Sequence, residues 1–120
     1  MKNENIVVTS GDYEQRRSLM YTVGELGREG GHHYVGMIRS PQDVDTLIRI
    51  DAKPTVAIFG TKMEGELAKK VAERMRDEFG GIVIIGFHED ENQKPAWADH
   101  SLQFETSDKD LMKFITNLKH

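Results

Sequence analysis

Four short apolar runs recur along the chain: IVVT at 6–9, YVGMI at 34–38, TVAIF at 55–59 and IVII at 82–85, each followed by a loop containing Gly or Ser. Runs of this length, rich in Val and Ile and bounded by turn residues, predict strands. A weaker run, SLQF at 101–104, predicts a fifth. The run at 82–85 is apolar throughout, so it is expected at the centre of a sheet covered on both faces.

Between the runs the apolar period lengthens from two to three or four. Leu19, Met20, Val23 and Leu26 share one helical face with Arg16 and Arg17 opposite, and Gly27, Gly30 and Gly31 are expected to end that helix. Ser40-Pro41-Gln42-Asp43 reads as a helix start, with Ser40 as N-cap, Pro41 at the first helical position and Asp43 in the capping-box place; Val44, Leu47 and Ile48 follow as its stripe. Leu67, Ala68, Val71, Ala72, Met75 and Phe79 mark a third helix stopped by Gly80-Gly81, with Glu66 and Lys70 as an exposed ion pair. A last helix opens at 106–108 and turns Leu111, Met112, Ile115 and Leu118 inward.

This order, β-α-β-α-β-α-β-loop-β-α, predicts one α/β domain over 1–120: a doubly wound, flavodoxin-like parallel sheet of five strands in the order 2-1-3-4-5. The stretch FHEDENQKPAWADH at 87–100 breaks the rhythm, being polar and interrupted by Pro95, so the helix due there is expected to be short or irregular. In such folds ligands sit beyond the carboxyl ends of the strands, here 9–12, 60–63, 86–88 and 104–106.

Composition narrows the classes of function. A net charge of −4 argues against nucleic acid as a partner, because phosphate binding needs a basic face. No run approaches the length of a membrane span, the N-terminus has no signal-like apolar core, and the absence of Cys fits a reducing cytoplasm.

The strand mouths hold little chemistry. Neither GxGxxG nor GxxxxGK occurs, and TSGD at 9–12 reads first as a cap for the first helix through Ser10 or Asp12. His32 and His33 are adjacent and point apart on extended backbone, and His88, His100 and His120 have no ligand spacing, so no metal site is expected. HEDE at 88–91 reads as a solvated loop, and no Ser-His-Asp arrangement stands out.

The segments IVVTSGDYEQRRSLM, PTVAIFGTKM, GGIVIIGF and SLQFETSDKDLMKFI together resemble the receiver domain of bacterial response regulators over nearly the whole chain. The resemblance lies in the strand, acidic loop and Arg/Leu helix of the first segment, the Pro, apolar run and nearby Met of the second, and the last two strands with the final helix. It implies a site in which an acidic pair after the first strand holds Mg²⁺ and an aspartate ending the third strand accepts phosphoryl. A hydroxyl after the fourth strand and a lysine after the fifth then read the phosphate. In this sequence those positions fall on Ser10 and Gly11, with Asp12 one place beyond, on Gly60 beside Thr61, on Gly86 and on Phe104. Ser10, Gly11, Asp12, Gly60, Thr61, Gly86 and Phe104 are therefore expected to form a degenerate phosphoacceptor pocket, with no catalytic residue, cofactor or metal.

What the resemblance implies is a pseudo-receiver: a cytoplasmic, phosphorylation-independent protein–protein interaction domain in two-component signalling, with a signalling protein or a second copy as partner. The family's partner surface spans the fourth helix, fifth strand and fifth helix, which places Phe87, Trp97, Leu102 and Phe104 as candidate anchors. Trp97 has the alternative of packing under the loop as core. A second class is a small-ligand or anion binder, with Thr9, Ser10, Gly11, Gly60, Thr61 and Gly86 leaving room for a flat or anionic molecule. An enzyme comes last, because no acid, base and nucleophile converge.

Overall fold

The computed structural model describes residues 3–63 and 65–118. Strands β1 (Asn5–Thr9), β2 (His33–Ile38), β3 (Val56–Phe59), β4 (Val83–His88) and β5 (His100–Gln103) form one sheet in the order β2-β1-β3-β4-β5, all neighbours parallel. This is the flavodoxin-like order expected from the sequence. Helices α1 (Tyr13–Thr22), α2 (Asp43–Arg49), α3 (Gly65–Glu78) and α4 (Asp108–Thr116) cover it.

The two-residue period of the strands divides the core. Val7, Ala57, Phe59 and Ile84 point to the face covered by α2 and α3, where Val44, Leu47, Ala68, Val71 and Met75 meet them. Ile6, Val8, Val56, Ile58 and Ile85 point to the other face, under Val23 and the Leu111, Met112 and Ile115 stripe of α4. β1 and β3 are therefore apolar on both sides, as buried parallel strands require.

Several local expectations change. β4 runs on to His88, so Phe87 and His88 belong to the strand rather than to the following loop, and the last strand begins at His100 and leaves Phe104 just outside it. α2 begins at Asp43, two residues later than the Ser40-Pro41 signal suggested. The reason lies in Asp43, whose carboxylate reaches back past Ser40 to accept from the Arg39 amide at 2.8 Å, so 40–42 are held as a turn. Ile48 and Leu67 lie at the margins of their stripes and remain 43% and 42% exposed. Glu66 and Lys70 do not pair; on α3 the ion pairs among the described residues run instead from Arg74 to Asp45 and Glu78 and from Arg76 to Asp99.

The first helix does not stop at Gly27. A π-turn, Val23–Gly27, carries it past that glycine and sets Val23 in the core. The helix closes only at Gly31, with φ of +82°, through bonds from His32 N to Gly27 O (2.8 Å) and Gly31 N to Arg28 O (3.0 Å). This paired closure needs a left-handed residue, which Gly31 supplies without a Cβ penalty.

The closure delivers His32 into the interior while His33 stays exposed. His32 Nδ1 accepts from the Glu4 amide at 2.9 Å, and Nε2 lies 3.0 Å from Thr116 Oγ1, whose own hydroxyl donates to Met112 O. Only the neutral Nε2–H tautomer satisfies all three bonds, and it ties β1 and β2 to the end of α4. Burial holds the His32 pKa below its ordinary 6.5, against the opposing field of Glu4 and with a small contribution from His33. Because the unfolded chain then binds the proton more readily, this contribution to stability is complete above the ordinary value and is lost as pH falls below it toward the native one. Urea titrations at about pH 7.5 and pH 5.5 are expected to show lower stability at the acid end, and His32→Asn is expected to flatten that difference. An unchanged slope in the variant would remove His32 from the account.

Candidate functional site

The carboxyl ends of β1 and β3 meet the start of α1. Asp12 caps α1, accepting from Gln15 N at 2.9 Å, so of the two capping candidates the aspartate takes the role. Ser10 is buried and does something else: its hydroxyl accepts from Asp12 N (3.1 Å) and donates to Gln15 Oε1 (2.8 Å). The same Gln15 oxygen accepts from Lys62 N at 2.8 Å, and Gln15 Nε2 donates to Thr61 Oγ1 at 2.6 Å. Arg16 swings back to give Nη1 to Ser10 O at 2.9 Å and lies over the Tyr13 ring, whereas Arg17 is exposed.

The Gln15 carboxamide occupies the space a side chain on residue 60 would need. A Cβ built on Gly60 would lie 2.2 Å from Gln15 Oε1 and 2.6 Å from its Cδ. Gly86 is closed in the same way, with a Cβ there falling 3.0 Å from Pro95, 3.2 Å from Trp97 and 3.3 Å from Ala98. The space a side chain would take at these two glycines is thus already filled, at Gly60 by a side chain from α1 and at Gly86 by the loop after β4, while Gly60 and Thr61 still border open crevices on the side of Phe87 and Phe104. Gly11 lies open to solvent on one side, and a Cβ there would meet Lys62 O at 3.2 Å. Thr9 is fully buried, and its Oγ1 is the buried side-chain polar atom left without a partner among the described residues.

Gln15 is the residue that reading the sequence missed. It stands three positions after the capping Asp12, where a Gln normally reaches back to the cap's own amide. A glutamine there, opposite a glycine ending a neighbouring strand, was the available signal.

The loop 89–99 replaces a helix with a single 3₁₀ turn, Glu91–Gln93, as the polar composition and Pro95 predicted. Trp97 is folded under it onto Phe59, ring centroids 4.8 Å apart, and Pro95 and Ala98 sit beside it over Gly86. Asp99 anchors the loop's end, its carboxylate accepting from Ile84 N at 2.7 Å. At its start, buried His88 bonds Ser101 Oγ through Nδ1 (2.6 Å) and meets Glu91 through Nε2 (3.3 Å), fastening the 3₁₀ turn to β4 and β5. His88 is thereby internal, while Glu89, Asp90 and Glu91 of the acidic run are solvated. Lys94, and after it His88, hold the Glu91 carboxyl below its usual range.

Three of the four candidate anchors, Phe87, Trp97 and Phe104, meet at one crevice, and Leu102 stands apart from it. Trp97 packs on the α3 face, whereas Phe87 and Leu102 pack on the α4 face. Phe104 sits at the rim, 45% exposed, where Phe87, Trp97 and Phe104 line a crevice of ≈ 330 Å³ with Met63, His88 and Pro95. Among the described residues no three His, Asp or Glu side chains converge as a metal site, and His120 lies outside those residues. No helix among them is long and apolar enough to cross a membrane.

No family model matches the chain, and no curated protein matches it. Solved structures do. The signal receiver domain of the response regulator NarL from Mycobacterium tuberculosis aligns over 96% of this chain and 94% of its own, with a TM-score of 0.67 and 17% identity. A response regulator receiver domain protein from Clostridium thermocellum aligns over 95% and 92%, at 0.69 and 14%. The isolated receiver domain of RcsB from Salmonella enterica serovar Typhimurium, solved with phosphomimetic BeF₃⁻, aligns over 95% and 86%, at 0.66 and 13%. The fold of this chain is the fold of these receiver domains.

Proposed function

We propose that the chain is a pseudo-receiver, a receiver-fold module of bacterial two-component signalling that works in the cytoplasm by protein–protein contact and performs no phosphoryl chemistry. One observation carries this reading: the position that would bear the phosphoacceptor is Gly60, and a neutral carboxamide from Gln15 fills the volume beside it. An amide is neither a nucleophile for phosphoryl transfer nor a carboxylate for Mg²⁺. Ser10, where the acidic pair would begin, is spent on Asp12 N and Gln15, and Gly86 faces Pro95 and Trp97 instead of offering a hydroxyl. The partner, a signalling protein or a second copy, would meet the rim at Phe104, where the loop 89–99 gives a surface different from that of a helix.

The test is an amide NMR spectrum with and without Mg²⁺ and beryllofluoride, which mimics an acyl phosphate. No shifts are expected at 10–12, 60–62 or 86. Saturable shifts there would replace the pseudo-receiver reading with a phosphoryl switch.

A second reading, small-ligand binding, draws on the aromatic crevice at Phe87, Trp97 and Phe104. Its ≈ 330 Å³ is at the lower end of ligand pockets, and its walls suit a flat apolar molecule better than an anion. A chromophore or small molecule released on denaturing the purified protein would favour it.

A further inference from the structure

We propose that Ser10 Oγ, Thr61 Oγ1 and Lys62 N form an oxyanion seat, and that Gln15 is its resident occupant, a latch that ties the loop after β3 to α1 and keeps small anions out. The inference deepens the pseudo-receiver reading and rests on it for the absence of a covalent phosphoryl group.

The donors converge on one point. Ser10 Oγ and Lys62 N each reach the same Gln15 oxygen at 2.8 Å, from two strand ends that the β1–β3 pairing holds side by side. Thr61 Oγ1 accepts from Gln15 Nε2, which leaves its own proton free to point at an acceptor once the amide is gone. Two N–H or O–H donors on one oxygen, with a third alongside, is the arrangement that holds a phosphate or carboxylate oxygen. The charges nearby are mixed. Arg16 is bound to Ser10 O and favours an anion, while the Asp12 carboxylate opposes it but is engaged with Gln15 N.

What excludes the anion is chiefly the latch. The Gln15 oxygen already takes the hydrogens of Ser10 Oγ and Lys62 N and overlaps the space beside Gly60, so an external oxygen cannot reach these donors without displacing it. The carboxamide satisfies the donors at every ordinary pH, since it does not titrate. The loop 60–62 is therefore held to α1 in one arrangement, and this fixes the floor beside Phe104 in the state that a partner meets.

The test uses the whole chain, as wild type, Gln15→Ala and Gln15→Asn, with amide exchange and a titration with inorganic phosphate. In Gln15→Ala the Lys62 amide is expected to exchange at least about tenfold faster, the loss of one hydrogen bond of ordinary strength. Phosphate is expected to shift the amides of Ser10, Thr61 and Lys62 saturably in Gln15→Ala and to leave the wild type unchanged; Gln15→Asn, too short to reach, should follow the alanine variant. Unchanged Lys62 protection in the variants would overturn the latch. No phosphate response in Gln15→Ala would overturn the seat, and an equal response in wild type would overturn the exclusion. If both substitutions prevent folding, Gln15→Ser shortens the side chain without placing a group in the seat, and the same three readouts decide. A wild-type response to beryllofluoride would defeat the pseudo-receiver reading separately, because the exchange of Lys62 is measured without any ion present.

Discussion

Trp97→Ala is expected to lower stability by about 3 kcal/mol, the lower end of the range for a large aromatic removed from a core, since the ring is half-buried. The loss has two parts. The indole packs on Phe59, which is fully buried, and truncation exposes that ring at the mouth of β3. The indole also fills part of the space over Gly86, where Cη2 stands 3.2 Å from the position of a missing Cβ, between Pro95 and Ala98. Urea denaturation followed by circular dichroism measures the effect directly, because removing the sole tryptophan also removes the fluorescence signal. A loss below about 1 kcal/mol would mean that the loop does not depend on Trp97 as core, and would return the residue to the partner surface.

Gly60→Ala is expected to destabilise by about 2 kcal/mol, although the added group is one methyl and Gly60 does not have a left-handed φ. The methyl would overlap the end of Gln15, 2.2 Å from its oxygen. A flexible side chain can turn away, so steric strain is relieved, but three hydrogen bonds go with it, to Ser10, Thr61 and Lys62. The buried Ser10 hydroxyl must then find another acceptor, whereas the Lys62 amide is reachable by water. The effect should be strongly non-additive: in a Gln15→Ala background, the same Gly60→Ala change should be close to neutral. A cost that persists in the double variant would place the strain in the backbone instead.

The fold was legible because its signals are local and repeated. Four of the strands are short apolar runs, with only β5 weak, each helix is a three-to-four-residue stripe, and the two periods alternate along the chain. Parallel strands with covering crossovers leave few topologies, and the order β2-β1-β3-β4-β5 is among them. Element ends were less legible. Asp43 reaching back to Arg39 delays α2, and a π-turn carries the first helix past Gly27 to Gly31, each through a bond or packing choice that competes closely with the one the residue types suggest.

By itself, the sequence determined which side chains stand at the positions that the receiver resemblance assigns to phosphoryl chemistry. No carboxylate stands at 60, no hydroxyl at 86 and no lysine at 104, and no conformation supplies a side chain that glycine does not have. Only the tertiary structure decided what takes the vacated space. Gln15 and Gly60 are 45 positions apart, as are Gly60 and Glu105, and nothing in the chain distinguishes one separation from the other. Folding makes the distinction: β1 beside β3 brings the first turn of α1 over Gly60, and the loop after β4 brings Pro95 and Trp97 over Gly86. Close packing requires that the space beside a glycine be filled by other atoms or leave a void, and here the filling comes from elsewhere in the chain.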